Sequence, residues 1–412
     1  MIQPFAYSPL ERVYCDHKVE EILPLELELM DINKIFIVSS STLSKKTNEI
    51  DKIKNILGNK LVGVFDNCEE HSPIENVLEC AKEVKKLNPD IILTIGGGTP
   101  IDTVKVVQLC ISLDINDAEE LKKISGSVQK ISSKIRQIAV PTTLSGGEYS
   151  IVGGAMDTKK KLKQGYFGTD ICPKVVILDP YISLHTPEWL WLSTAIRSVD
   201  HAVEGYCSIS DNPMISHNAI ESLKIFSNSL RETKLDKKNI EARSLSQKAV
   251  WIVAKNMGNV MMGASHGIGY LLGSLGSVPH GQTSCVMLPA VLKWNEDFHP
   301  EKDKMISSAL GRPELKAYEA VKELIINLGL PSKLEDVGIK KDMYRKIVEY
   351  ALEHQIVLSY PKPITKADDV YQILEGAEKG EIMGFFMAFM GLVVAFGVMF
   401  IMLKLLDKIG DK

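Results

Sequence analysis

Ile91-Ile-Leu-Thr-Ile95-Gly96-Gly97-Gly98-Thr99-Pro100-Ile-Asp102 is the stretch that decides the fold. An apolar, β-branched run reads as a buried strand, and three glycines end it. Thr99 then reads as a helix N-cap and Pro100 as the first helical residue. At such a strand–glycine–helix junction, backbone N–H groups can approach a phosphate and the helix dipole favours the anion. Asp102, three residues after Thr99, fits the second half of a capping box. Lys105, one turn on, reads as a phosphate contact or a solvated lysine. The usual GxGxxG spacing on a first strand is absent, so these glycines alone do not specify a dinucleotide.

Working outward, 34–38, 61–65, 135–140 and 175–178 are further short apolar runs with strand character, and 73–86 reads as a helix. Alternating strands and helices predict a parallel sheet covered on both faces. From about Pro187 strand signals vanish, and amphipathic segments take over at 189–208, 214–230, 240–258, 315–328 and 342–356. The expected architecture is an α/β, Rossmann-like nucleotide-binding domain over 1–182, an all-α catalytic domain over 183–380 and a hydrophobic tail over 381–412.

With 412 residues there is ample length for two cores. Net charge is −4 with both signs interspersed, so nothing suggests a nucleic-acid footprint and none is expected. Seven scattered cysteines without a CxxC pair suit reduced thiols in a cytosolic protein. The N-terminus lacks a basic region followed by an apolar run, so no signal peptide is expected. One segment departs from this pattern: Ile382 to Leu403 carries no polar side chain. As a helix its 22 residues would span roughly 33 Å, enough for a membrane anchor. Lys404, Lys408 and Lys412 follow it, against the positive-inside bias for a tail crossing outward. A buried helix or an oligomer seam is the other reading.

Pro141-Thr142-Thr143-Leu-Ser145-Gly146-Gly147-Glu148 is a second polar, glycine-bearing loop after a strand. Two such loops describe a cleft at the binding edge of a parallel sheet. In the helical half, His266 and His280 flank a stretch that turns from helical to loop-like at Gly273, Gly276 and Pro279. A break there lets the chain double back and deliver both imidazoles to one site for a metal, an oxyanion or a proton transfer. Arg197 and His201, four residues apart, share a helix face. Asp200 points about 100° from it, which makes it a poor partner for that site, and Glu204 reads as structural. His17, His71, His185, His217, His299 and His354 have no comparable companions and read as surface or packing residues.

Taken together these motifs resemble the iron-containing (group III) alcohol dehydrogenase superfamily over about residues 10–378. Gly96-Gly97-Gly98-Thr99-x-x-Asp102-x-x-Lys105 is similar to its GGGSxxDxxK loop. Pro141-Thr142-Thr143 with Gly146, Gly147 and Glu148 resembles its PTT loop, in the shortened form of maleylacetate reductases. His201-Ala-Val-Glu204, His266 and His280 resemble its helical-domain site, and Ile364-Thr-x-x-Asp368 its closing motif. The resemblance implies a dehydroquinate synthase-like architecture, NAD(P)-linked carbonyl or alcohol chemistry in the interdomain cleft, and a homodimer. It also implies cofactor contacts from Ser40, Gly96, Gly97, Gly98, Thr99, Asp102, Thr142, Thr143, Ser145 and Lys163. Ser39-Ser40-Ser41 stands where NAD-preferring relatives carry an acid, so NADP as well as NAD is expected to be tolerated.

Two departures bear on the chemistry. Arg197 stands where metal-dependent members have an aspartate, and Tyr270 where a further histidine is usual. Three histidines can hold zinc with water as fourth ligand. A guanidinium about 5 Å from a divalent ion, however, costs on the order of 6 kcal/mol at an effective dielectric near 20, and arginine does not escape by deprotonation. The expectation is therefore no metal ligand set. Arg197 would clamp a carboxylate or an oxyanion, and His201, His266, His280 and Tyr270 would supply proton transfer and orientation. This predicts an NAD(P)H-dependent reductase of an oxo acid. The competing readings are a metal-dependent alcohol dehydrogenase with altered ligands, and a membrane-tethered nucleotide-binding protein without catalysis.

Overall fold

The computed structural model describes residues 5–379 apart from 161, 211, 256, 360 and 361. Its main sheet has six strands, all paired in parallel, in the order β1-β9-β6-β4-β2-β3. These are β1 (Arg12–Cys15), β2 (Ile35–Ser39), β3 (Leu61–Phe65), β4 (Ile91–Gly96), β6 (Arg136–Pro141) and β9 (Val175–Leu178). A second sheet joins β5 (Val128–Gln129) to a hairpin of β7 (Val152–Asp157) and β8 (Leu162–Gly168). The two-residue period of a strand explains the layering. Phe36 and Val38 enter the core on one face, while Ile35 and Ile37 enter the core on the other.

Five strands fall where the apolar runs place them. The edge strand β1 and the hairpin were not expected. Residues 12–15 are short and begin with Arg12, and the hairpin carries Gly153, Gly154, Lys163, Gln164 and Gly165, which have little strand preference. Its glycines let it lie against the Gly98–Ser112 helix: a Cβ on Gly153 would stand 3.0 Å from the Lys105 Cβ.

That packing corrects the reading of Lys105, which is fully buried and reaches neither solvent nor the glycine loop. Its ammonium donates to Ser150 Oγ (3.0 Å), the Val152 carbonyl (2.8 Å) and the Gly147 carbonyl. It stitches the second polar loop to the hairpin. Lys105→Met is expected to cost about 2–3 kcal/mol by chemical denaturation, because three acceptors lose a charged donor. The cap is corrected too. Gly97 is the N-cap and the helix starts at Gly98, so Thr99 and Pro100 lie in its first turn and Asp102 closes no capping box.

Beyond Leu178 the described regular elements are helical, beginning with a short 3-10 turn at Ile182–His185 and the long Glu188–Cys207 helix. The run at 342–356 forms two helices, Tyr344–Ala351 and Gln355–Leu358, and the one at 240–258 ends at Ala254. One apolar core crosses between the halves, packing Ile101, Leu144 and Val176 with Trp191, Ile196 and Val199. Among the described residues no helix is long and apolar enough to cross a membrane. The apolar run at 382–403 lies outside the described residues. Cys15, Cys68, Cys80, Cys110, Cys172 and Cys285 are free thiols.

Candidate active site

The strand order places a topological switch point between β2 and β4. From β2 the chain moves outward to β3, then returns to β4 on the other side and continues to β6. Ligands of open α/β sheets bind outside the carboxyl ends of strands at such a point. Ser40, at the end of β2, caps the short Ser41–Lys46 helix by accepting the Leu43 N–H. The loops after β4 and β6 touch side by side. A Cβ on Gly97 would stand 2.8 Å from Thr143 Cγ2, and one on Gly98 3.3 Å from Ser145 Oγ. Thr142 N–H donates to the Gly96 carbonyl at 2.9 Å, and the Thr143 and Ser145 hydroxyls are 3.3 Å apart. No side chain caps the Gly98–Ser112 helix, so its first N–H groups and dipole suit a diphosphate.

The neighbouring helical half is fixed to this cradle. Thr194 Oγ1 accepts from Leu144 N, and Ser198 Oγ donates to the Leu144 carbonyl. Both belong to the Glu188–Cys207 helix that carries Arg197, Asp200, His201 and Glu204. The other two site helices, Ala264–Gly276 and His280–Trp294, are joined through Ser277 in the left-handed region. The chain doubles back there, as Gly276 and Pro279 suggest. It does not bring the two imidazoles into contact with each other. His266 stacks on His201, with ring centroids 4.8 Å apart. His280 instead meets Tyr270 edge to face at 5.8 Å and receives the Lys163 ammonium 3.4 Å from its Nε2. Lys163 also lies 3.6 Å from Asp102, so it bridges the two halves across the cleft.

Arg197 points into the centre of this group and is buried. Its guanidinium donates to Ser284 Oγ at 3.1 Å, lies 3.9 Å from Asp200 and stands over the Tyr270 ring at 5.3 Å. Asp200 is a full member of the site, contrary to the helical-wheel argument. It accepts from Ser265 Oγ (2.8 Å) and Ser284 Oγ (2.6 Å) and lies 3.4 Å from His266 Nδ1. Angular separation on one helix does not count what two other helices bring to its flank. Glu204 accepts the N–H groups of Gly263, Ser265 and His266, and His266 Nδ1 at 2.7 Å. It therefore caps the second helix and orients the imidazole.

Burial and Arg197 oppose a charge on His266. Asp200, with hydrogen bonds to Asp200 and Glu204, outweighs them, and the imidazole is held above its ordinary pKa. Asp200 is drawn below its ordinary value despite burial, by His266, Arg197 and Ser284. His201 and His280 are pushed well below theirs by burial, with the neighbouring cations adding to it. Burial also pushes Glu148, in the loop after β6, up to about 7.

Asp200, Glu204 and His266 offer atoms within 4.8 Å of one another, a spacing that could hold a cation. His266 Nε2, His201 Nδ1 and His280 Nδ1 are buried without a protein partner. Two further histidines, read from sequence as packing residues, border the site. His71 stands edge to face on His280 at 6.3 Å, delivered by consecutive left-handed residues, His71 and Ser72. His354 lies 6.2 Å from Tyr270. Neither has a local sequence signal, because each reaches the cleft through a long-range loop.

Comparisons with known proteins agree with this fold. The iron-containing alcohol dehydrogenase model matches residues 11–180, and the C-terminal model of the Fe-containing alcohol dehydrogenase family matches 192–377. The dehydrogenase ALT3 of Alternaria alternata is 32% identical over 383 residues, covering 84% of this chain and 99% of that protein. The maleylacetate reductase of Sphingobium indicum is 28% identical over 326 residues, covering 79% and 84%. A solved 1,3-propanediol oxidoreductase superposes with a TM-score of 0.81 at 23% identity, over 92% of this chain and 100% of that one. The maleylacetate reductase of Rhizobium sp. superposes with a TM-score of 0.78 at 21% identity, over 92% and 99%. At these identities the two structures speak to the fold.

Proposed function

This chain belongs to the iron-containing alcohol dehydrogenase family and is an NAD(P)-dependent oxidoreductase acting on alcohol or carbonyl groups; from that premise we propose that it reduces an oxo acid without an essential metal. The observation that carries the proposal is the buried Arg197 guanidinium among the imidazoles, where it faces Tyr270 and Ser284.

The charge balance of the donor set favours an anion over a divalent ion. His266 Nδ1 and both Glu204 oxygens are engaged, Asp200 Oδ2 accepts two serine hydroxyls, and only Asp200 Oδ1 and His266 Nε2 of this set are left without partners. A cation there would displace those donors and face Arg197 as a like charge. The same guanidinium suits an anion, because its planar fork matches a carboxylate and its charge opposes a developing alkoxide. Lys163 adds a second cation, 3.4 Å from His280 Nε2.

Bound dinucleotide would supply the hydride. The carbonyl oxygen must then gain a proton, and His266 is the group whose charged form the site favours. Its Nε2 is buried and free of protein partners, so it is assigned as the donor. Neutral His201 and His280 orient the substrate, and Tyr270 is the alternative donor. The maleylacetate reductases among the relatives support an oxo acid as the substrate class. Dehydrogenases of 1,3-propanediol support the wider alcohol–carbonyl chemistry. Within this proposal the enzyme is a cytoplasmic homodimer, tethered through 382–403; the fraction of intact chain that pellets with membranes tests the tether.

The experiment is oxidation of NADH and NADPH by full-length protein against matched oxo acids and uncharged aldehydes. Oxo acids are expected to be turned over with kcat/KM at least about tenfold above the aldehydes, the discrimination one charged pair supplies. Equal turnover of both classes would contradict the assignment of Arg197 to a substrate carboxylate.

A further inference from the structure

The nicotinamide end of the cofactor must reach the imidazole site, which lies on the β6 side of the glycine cradle. Leu144 and Ser145 of the loop after β6 contact that cradle and the helix carrying Arg197. With a diphosphate at Gly97 and Gly98, the adenosine half would extend the other way, over the carboxyl ends of β2 and β3. β2 ends in serines and carries no acid to accept from the ribose hydroxyls. β3 does. It pairs in parallel with β2, Val38 opposite Phe65, so Asp66 stands one residue past that pair beside Ser39 and Ser40. Adjacent strands are about 4.8 Å apart, within reach of the same ribose.

We propose that Asp66 is the cofactor-specificity residue of this chain, accepting from the adenosine ribose in place of the acid absent after β2 and disfavouring a 2′-phosphate. Its half-buried carboxylate has no ion-pair partner among the described residues. One oxygen, Oδ2, accepts from Ser44 Oγ at 2.7 Å. Ser44 belongs to the short helix that Ser40 caps, so this bond turns the carboxylate toward the loop the ribose would meet. A carboxylate that accepts from a ribose hydroxyl repels a phosphate at the same place. Lys45 and Lys46 on that helix are exposed and would favour the phosphate instead. The measurement weighs these two influences directly. The inference rests on nucleotide binding and not on the identity of the carbonyl substrate.

The test is fluorescence titration of full-length protein with NADH and NADPH, for the native chain and for Asp66→Asn, Asp66→Glu and Ser44→Ala. The native chain is expected to bind NADH at least about tenfold more tightly than NADPH. Asp66→Asn should weaken NADH, strengthen NADPH and bring the ratio near one. Asp66→Glu should keep the preference for NADH, which guards against a misfolded Asn variant. Ser44→Ala should leave the order of preference unchanged. A native preference for NADPH, or a parallel loss of both nucleotides in Asp66→Asn, would overturn the inference. Binding of neither nucleotide would overturn it together with the cofactor assignment. A protein that binds NADH but reduces no oxo acid sinks only the substrate proposal, and the Asp66 ratio is then judged alone.

Discussion

Arg197→Leu is expected to lower kcat/KM for an oxo acid by roughly a hundredfold to a thousandfold, the range for losing one pre-organised oxyanion donor. The side chain is buried, aimed at Ser284 Oγ and the Tyr270 ring, and close to Asp200. Leucine approximates its apolar volume and removes the fork and the charge. Arg197→Lys keeps the charge and loses the bidentate geometry, so it should fall between the two. Loss must be larger for the oxo acid than for an uncharged aldehyde, since only the acid offers a carboxylate. Arg197→Asp should raise the site's affinity for a divalent ion above that of the native chain. Thermal melts accompany the kinetics, because removing Arg197 also leaves Asp200 with one fewer cation.

Glu204→Ala should destabilise the fold by about 3–5 kcal/mol, the usual result of deleting one partner of a buried ionic network. Its carboxylate accepts three backbone N–H groups at the start of the Ala264–Gly276 helix together with His266 Nδ1. All four donors would be stranded away from water. Glu204→Gln keeps one acceptor oxygen and should cost less. The pH dependence has two limbs. The folded pKa of Asp200 is depressed, so its contribution is present above the ordinary 3.8 and is lost as pH falls through the folded value. The folded pKa of His266 is raised, so its contribution is present below the ordinary 6.5 and is lost as pH rises through the folded value. The network therefore stabilises most between those limbs, and the stability gap between native and Glu204→Ala should narrow above the folded pKa of His266. Urea denaturation at several pH values measures both effects.

Five strands of the parallel sheet and the glycine cradle were legible because each of those strands is a short apolar run and the cradle loops follow directly on two of them. Arg197 was legible as a charge out of place. Asp200 was not, because a wheel drawn for one helix omits the serines, 265 and 284, that two other helices bring to it. Lys105 misled for a related reason. Its burial depends on a hairpin whose glycines and polar residues hide its strand character. His71 and His354 reach the cleft through loops, where local pattern says nothing about long-range contact. The cap at Thr99 shifted by two residues because Gly97, with no side chain, already has the extended backbone a cap requires.

The most direct measurement is metal content together with turnover, on full-length protein purified with chelator, loaded with Fe²⁺ or Zn²⁺ and then desalted. A permanent cation at position 197 predicts far less than one ion per chain and turnover unchanged by the loading. One tightly held ion per chain, whose removal abolishes turnover and whose return restores it, would contradict the account.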